Sequence, residues 1–177
     1  VGLLQDAVVG VNSGHRFDLE AVFAAQYARI ARVIAKVIRD PARAEELAVE
    51  AFLKLSRTPR AQAARVEGWL YRTAVRLGLD ELRRQTRRGR IEPMAGLVRP
   101  SPTPEQLHSA QQEQDRVRQV LAALEPRQAE MLLLRSEDLS YEQLAAALDL
   151  NPASVGTLLS RAQAAFRKEY IRKYGEQ

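Results

Sequence analysis

The chain has 177 residues, 46% of them hydrophobic and 28% charged, which is enough apolar content for one or two small packed domains and too much for wholesale disorder. Without a single cysteine it can form no disulfide and no thiolate metal site, and its only histidines, His15 and His108, lie far apart in polar surroundings that do not suggest zinc. A net charge of +5 and a pI near 9.9 point to a polyanionic partner.

Residues 1–15 form an extension whose GLLQDAVVGV has no basic flank and is too short to cross a bilayer. A soluble, cytoplasmic chain without membrane insertion is therefore expected. From Asp18, the residues Phe23, Tyr27, Ile30, Ile34 and Val37 fall at helical spacing, with Arg29, Arg32 and Lys36 on other faces. Asp40-Pro41 stops this helix and starts the next, since aspartate caps orphan amides and proline suits the first helical position. The second helix runs to about Ser56 and is expected to bury Ala44, Leu47, Ala51, Phe52 and Leu55.

RTPRAQAAR reads as a loop. A third helix is expected over roughly Val66 to Arg87, with Trp69, Leu70, Ala74, Leu77 and Leu82 apolar. On it Arg72, Arg76, Asp80, Arg83 and Arg87 follow at steps of four, four, three and four, which makes one charged stripe. Residues 16–90 hold 17 Lys and Arg against 9 Asp and Glu, a balance of +8, so the positive excess lies in this half of the chain. Such a stripe suits either phosphates or a solvated helix end. Trp69 and Tyr71 are open between a core position and stacking on an unpaired base.

Residues 91–103 carry three of the four prolines between Pro93 and Pro104 and read as a linker, able to reach about 43 Å if extended. Two domains joined in this way need not touch. Thr103-Pro104-Glu105-Gln106 is a start signal for a helix carrying Leu107, Val117, Leu121 and Leu124 and ending near Glu125-Pro126. RQAEMLLLR forms another helix. Ser140 and Gln143 make a capping pair before YEQLAAAL, and Asp149-Leu150-Asn151 turns the chain before Pro152 opens the last helix, in which Val155, Leu159, Ala162 and Phe166 face inward. This short helix, turn and longer helix follow the helix-turn-helix plan, with Asp149 able to take a left-handed conformation.

The expected fold is all-α: two small helical domains, residues 16–90 and 104–177, joined by a proline-containing linker, the second a four-helix domain with a helix-turn-helix. Glu45, Glu46 and Glu50 have no nucleophile, metal ligand or complementary base nearby, and no phosphate-binding glycine loop is present. No catalytic residue, metal site or cofactor is predicted, and the chain is not read as an enzyme.

Three stretches, DPARAEELAVEAFLKL, EGWLYRTAVRLGLDELRRQTRR and LEPRQAEMLLLRSEDLSYEQLAAALDLNPASVGTLLSRA, resemble in that order the two domains of bacterial RNA polymerase sigma factors of the extracytoplasmic-function group. The resemblance implies that core RNA polymerase is bound through the second helix, where Glu46, Leu47 and Glu50 match, with Leu47 and Phe52 also suited to the core. It implies that the minus-ten promoter element is recognised and opened through Trp69, Arg72, Arg76, Asp80, Arg83, Arg84 and Arg87. The last helix would meet the upstream minus-thirty-five element through Asn151, Ser154, Thr157, Ser160, Arg161 and Lys168.

The partners implied are thus polymerase and promoter DNA, with an anti-sigma factor as a further candidate. Departures from the family pattern are Gly156, Leu158 and Gln163, where a lysine and arginines are usual, Val49 for glutamine and Arg76 for asparagine. Three lost cationic contacts flatten the salt dependence of binding by roughly 2.7 in slope. The alternative that these departures leave open is a sigma-like regulator whose last domain makes protein contacts, with an anti-sigma factor or with its own chain, in place of upstream DNA contacts.

Overall fold

The computed structural model describes residues 17–64, 66–88 and 104–175. The extension 1–15, the linker 91–103 and the Thr103 cap lie outside the described residues. Eight helices make up the described chain: α1 (Leu19–Ile38), α2 (Pro41–Ser56), α3 (Pro59–Ala64), α4 (Val66–Arg87), α5 (Pro104–Ala123), α6 (Pro126–Arg135), α7 (Tyr141–Leu148) and α8 (Pro152–Tyr174).

The helix starts follow from capping chemistry. Asp18 accepts from the Ala21 amide and Asp40 from that of Arg43, each satisfying a donor that the first turn leaves open. Glu125 does the same for Gln128, so the residue expected to end one helix also starts the next. Ser140 and Gln143 complete a reciprocal capping box on α7. The expected loop after α2 contains α3, a six-residue helix that its lack of apolar period conceals. Its entry is fastened by Gln62, whose side-chain amide donates to the Leu55 and Ser56 carbonyls.

In the first domain α1, α2 and α4 surround Ile30, Ile34, Leu47, Ala51, Leu55, Leu70, Tyr71, Ala74, Leu79 and Leu82, all at most 2% exposed. Gly78 lets α4 approach α1: a Cβ there would lie 3.3 Å from Val37 Cβ. In the second domain α5 to α8 enclose Val120, Leu134, Leu144, Leu148, Val155 and Ala162. Asp149 closes α7 in the left-handed conformation (φ 55°, ψ 56°), its amide donating to the Ala145 carbonyl, as the turn between the two helices requires. Arg127 on α6 donates to the Leu148 carbonyl at 3.0 Å and holds that turn against the domain.

The domains touch, although a linker of this reach does not demand it. Helix α4 packs on α5, α6 and α7, and the apolar core runs continuously through both halves. Arg118 of α5, 9% exposed, donates to the carbonyls of Val37 and Ile38 at 2.9 Å each. These belong to the last turn of α1, whose carbonyls have no helical partner. Lys36 pairs with Glu137 at 2.8 Å and Arg39 with Asp115 at 3.2 Å.

Candidate nucleic-acid interface

The arginine stripe of α4 exists as a stripe, but part of it is engaged. Arg76 Nε donates to Glu130 Oε1 at 2.7 Å, and Arg72 Nε lies 3.8 Å from Glu130 Oε2. Burial, with Arg76 close by, lowers the Arg72 pKa against the opposing pull of Glu130. Arg83 donates to the carbonyls of Ala122 and Leu124 at 3.3 and 3.2 Å, and its other end lies 3.8 Å from Asp80. Arg84 pairs with Glu81 at 3.7 Å. Arg87 is exposed at the end of the helix, and Asp80 is exposed too.

Trp69 is half-buried against the core, where the sequence left core and stacking open. Tyr71 has no exposed surface, with the Arg29 guanidinium 5.1 Å from its ring centroid, so it cannot stack on a base.

The face formed by α1 and α2 differs in detail from the expected one. Glu46 is exposed and bonded to Arg43 at 2.6 Å, and Glu50 pairs with Lys54 at 3.4 Å. Exposed pairs of this kind exchange partners at little cost. Leu47 is 2% exposed: it points into the core, and its side chain presents no surface to a partner. Leu53, Val49 and Phe23 are 50%, 41% and 38% exposed and share a shallow apolar groove with Leu19 and Phe52. Phe23 stacks on Tyr27 and meets Phe52 edge-on, both at 4.8 Å.

The sequence carries a signal for this groove. Apolar positions on α2 cover more of the helix than one buried stripe needs, and Val49 and Leu53, four apart, form the surplus edge.

Helix α8 turns Val155, Leu159 and Ala162 inward and leaves Ser154, Thr157, Ser160, Arg161 and Lys168 exposed. Asn151 is exposed, but its side-chain oxygen accepts from the Ala153 amide at 2.9 Å and serves as the cap. Leu158 is half-buried and lies near Met131 and Arg161 over α6, so its apolar character is used in packing. A Cβ at Gly156 would meet only Tyr141, at 3.6 Å.

Two buried charges, Arg118 and Glu130, were not singled out from the sequence. Each interrupts an apolar helix face: Arg118 lies three residues before Leu121, and Glu130 four before Leu134. Burial lowers the Arg118 pKa, opposed by its ion pair with Asp115. Among the described residues no cluster of His, Cys, Asp and Glu could hold a metal ion. None of the described helices is long and apolar enough to cross a membrane.

Residues 22–88, which span α1 to α4, match Sigma-70 region 2, and residues 114–165 match Sigma-70 region 4. The chain is 30% identical over 142 residues, 76% of its length, to the ECF RNA polymerase sigma factor SigE of Mycolicibacterium smegmatis. It spans about half, 54%, of the length of that relative. With both regions present in family order, the chain belongs to the extracytoplasmic-function group of sigma-70 factors.

Proposed function

We propose that the chain directs core RNA polymerase to specific promoters and starts transcription there. The observation that carries this is the pairing, in one domain, of an exposed apolar groove lined by Phe23, Val49 and Leu53 with the arginine-rich helix α4. The groove suits a protein partner and the helix suits a phosphate backbone, and promoter opening needs both at once.

Glu46 and Glu50 would meet the polymerase by charge, while Val49, Leu53 and Phe23 would supply the buried contact. Leu47 would hold the helix in place. Trp69, Arg72, Arg76, Asp80, Arg83, Arg84 and Arg87 would face the minus-ten element. Ser154, Thr157, Ser160, Arg161 and Lys168 would meet upstream DNA, chiefly through hydrogen bonds. The match of the second domain to region 4 supports DNA as the partner of α8. An anti-sigma factor is a further partner of this reading, and a cytoplasmic, non-enzymatic role goes with it.

The test is reconstitution with purified core polymerase. Run-off transcripts from promoter fragments selected by the holoenzyme are the expected result. Absence of promoter-dependent initiation at every low-salt condition would overturn the proposal.

A further inference from the structure

We propose that residues 2–11 of the chain cover its own apolar groove on α1 and α2, and that core polymerase must displace them to bind there. The cover is inferred from the groove and the sequence beside it, and the competition rests on the reading of the groove as the polymerase site. Exposed apolar surface is concentrated in this one place. Of the four large apolar side chains exposed among the described residues, Phe23, Val49 and Leu53 lie in the groove and only Tyr141 lies elsewhere. The groove measures about 370 Å³, and Glu20 is the one polar residue among the six that line it. Such a surface selects apolar side chains, and leaving it open to water costs free energy in proportion to its area.

A matching occupant lies next to the groove in the chain. In GLLQDAVVGV, residues 2–11, Leu3, Leu4, Ala7 and Val8 recur at steps of one, three and one. That is the spacing of a single apolar helix stripe, with Gln5 and Asp6 off it. Asn12-Ser13-Gly14 follows and is a turn signal, suited to reversing the chain ahead of α1. The described chain then enters along the edge of the groove: Phe17 and Leu19 pack against the core, and Leu19 is both the first residue of α1 and a groove wall.

The reach is sufficient. Leu19 to Phe23 takes up about 6 Å of helix, whereas the eight residues 9–16 can extend to about 26 Å. Leu4 and Val8 can therefore lie over Leu53. A tether this short gives an effective concentration on the order of millimolar, which favours the chain's own segment over a second copy in dilute solution. A segment that holds the groove in about nine molecules of ten lowers the apparent affinity of a competing partner about tenfold.

The test uses full chains. Because the sequence has no cysteine, Leu53→Cys places a single thiol in the groove and Gln112→Cys a single thiol on an exposed position of α5. Each is made with and without the pair Leu4→Asp and Val8→Asp. Maleimide alkylation at Leu53→Cys is expected to run about tenfold faster with the two aspartates than without them, while Gln112→Cys reacts equally in both. Equal rates at the groove, or a change at both positions, overturns the proposal. Protection of the groove that grows with chain concentration also overturns it, since that marks a second copy as the occupant.

Competition for core polymerase, with Leu53 intact, separates this proposal from the function it rests on. The chain carrying Leu4→Asp and Val8→Asp is expected to bind about tenfold more tightly than its parent. Faster alkylation with unchanged polymerase affinity keeps the cover and removes polymerase from the groove. Equal alkylation with polymerase still bound removes the cover and keeps the polymerase reading.

Discussion

Leu47 and Leu53 sit on the same helix six residues apart and face opposite fates. Leu47 is enclosed by the first-domain core, whereas half of Leu53 faces solvent. Leu47→Ala is expected to cost about 2–5 kcal/mol by leaving a cavity, measured by urea unfolding. Leu53→Ala is expected to change stability by less than about 0.5 kcal/mol and to weaken binding to core polymerase in a competition assay. Equal polymerase affinity for Leu53→Ala and its parent would remove the groove from the interface.

Tyr71 makes a second case at this scale. Its hydroxyl is buried without a hydrogen-bond partner, so Tyr71→Phe is expected to raise stability by roughly 1 kcal/mol, the lower end of the cost of an unsatisfied buried group. Burial also pushes its phenol above the ordinary range, while the unfolded chain ionises at about 10. Below about pH 10 the phenol is neutral in both states and has no pH effect; as pH rises from there towards the folded value only the unfolded chain ionises, and stability falls. Thermal melts between pH 8 and 11 should fall less steeply for Tyr71→Phe than for the parent.

The sequence could place Tyr71 on α4 but could not decide its environment. That depends on how far Arg29 of α1 reaches across the packed pair, which no spacing within α4 encodes.

At the scale of the element, capping decides more than length. Helix α7 has eight residues, too few to persist on propensity alone, and its first turn is held by the Ser140–Gln143 box. Ser140→Ala is expected to lower stability by about 1 kcal/mol, read as a shift of the urea midpoint at unchanged slope. These boundaries were legible because caps are local chemistry: Asp18, Asp40, Ser140 and Asn151 each act within three residues of themselves.

The same locality explains what was missed. Helix α3 has no apolar repeat to reveal it, and Glu125 reads equally well as a helix end or a helix start. The charged stripe of α4 was legible as a stripe, since four arginines and Asp80 recur at helical steps. Its engagement by Glu130 was not, because that partner is 54 residues away from Arg76.

For the whole molecule, continuity of the core across the two domains has a thermodynamic consequence. The parent chain is expected to unfold in one calorimetric transition, with van't Hoff and calorimetric enthalpies agreeing. Arg118→Ala removes the donor to the Val37 and Ile38 carbonyls and should split the transition into two. A single transition in the variant, shifted but intact, would show that apolar contact alone couples the domains. The packing of the domains could not be read from the sequence: a proline-containing linker permits docking and separation alike. The choice lies in buried charges that look, one at a time, like misplaced surface residues.

The neutral start of α8 has a further meaning for how such a protein changes over time. Gly156 is inside a helix and has only a tyrosine ring in ordinary contact range, so arginine there would fit and would also improve helix propensity. The fold does not require glycine at this position. On the proposed reading of α8 as a DNA-facing helix, a single codon change would add a cation to that face, so Gly156 would be a position through which promoter choice is retuned without rebuilding the domain.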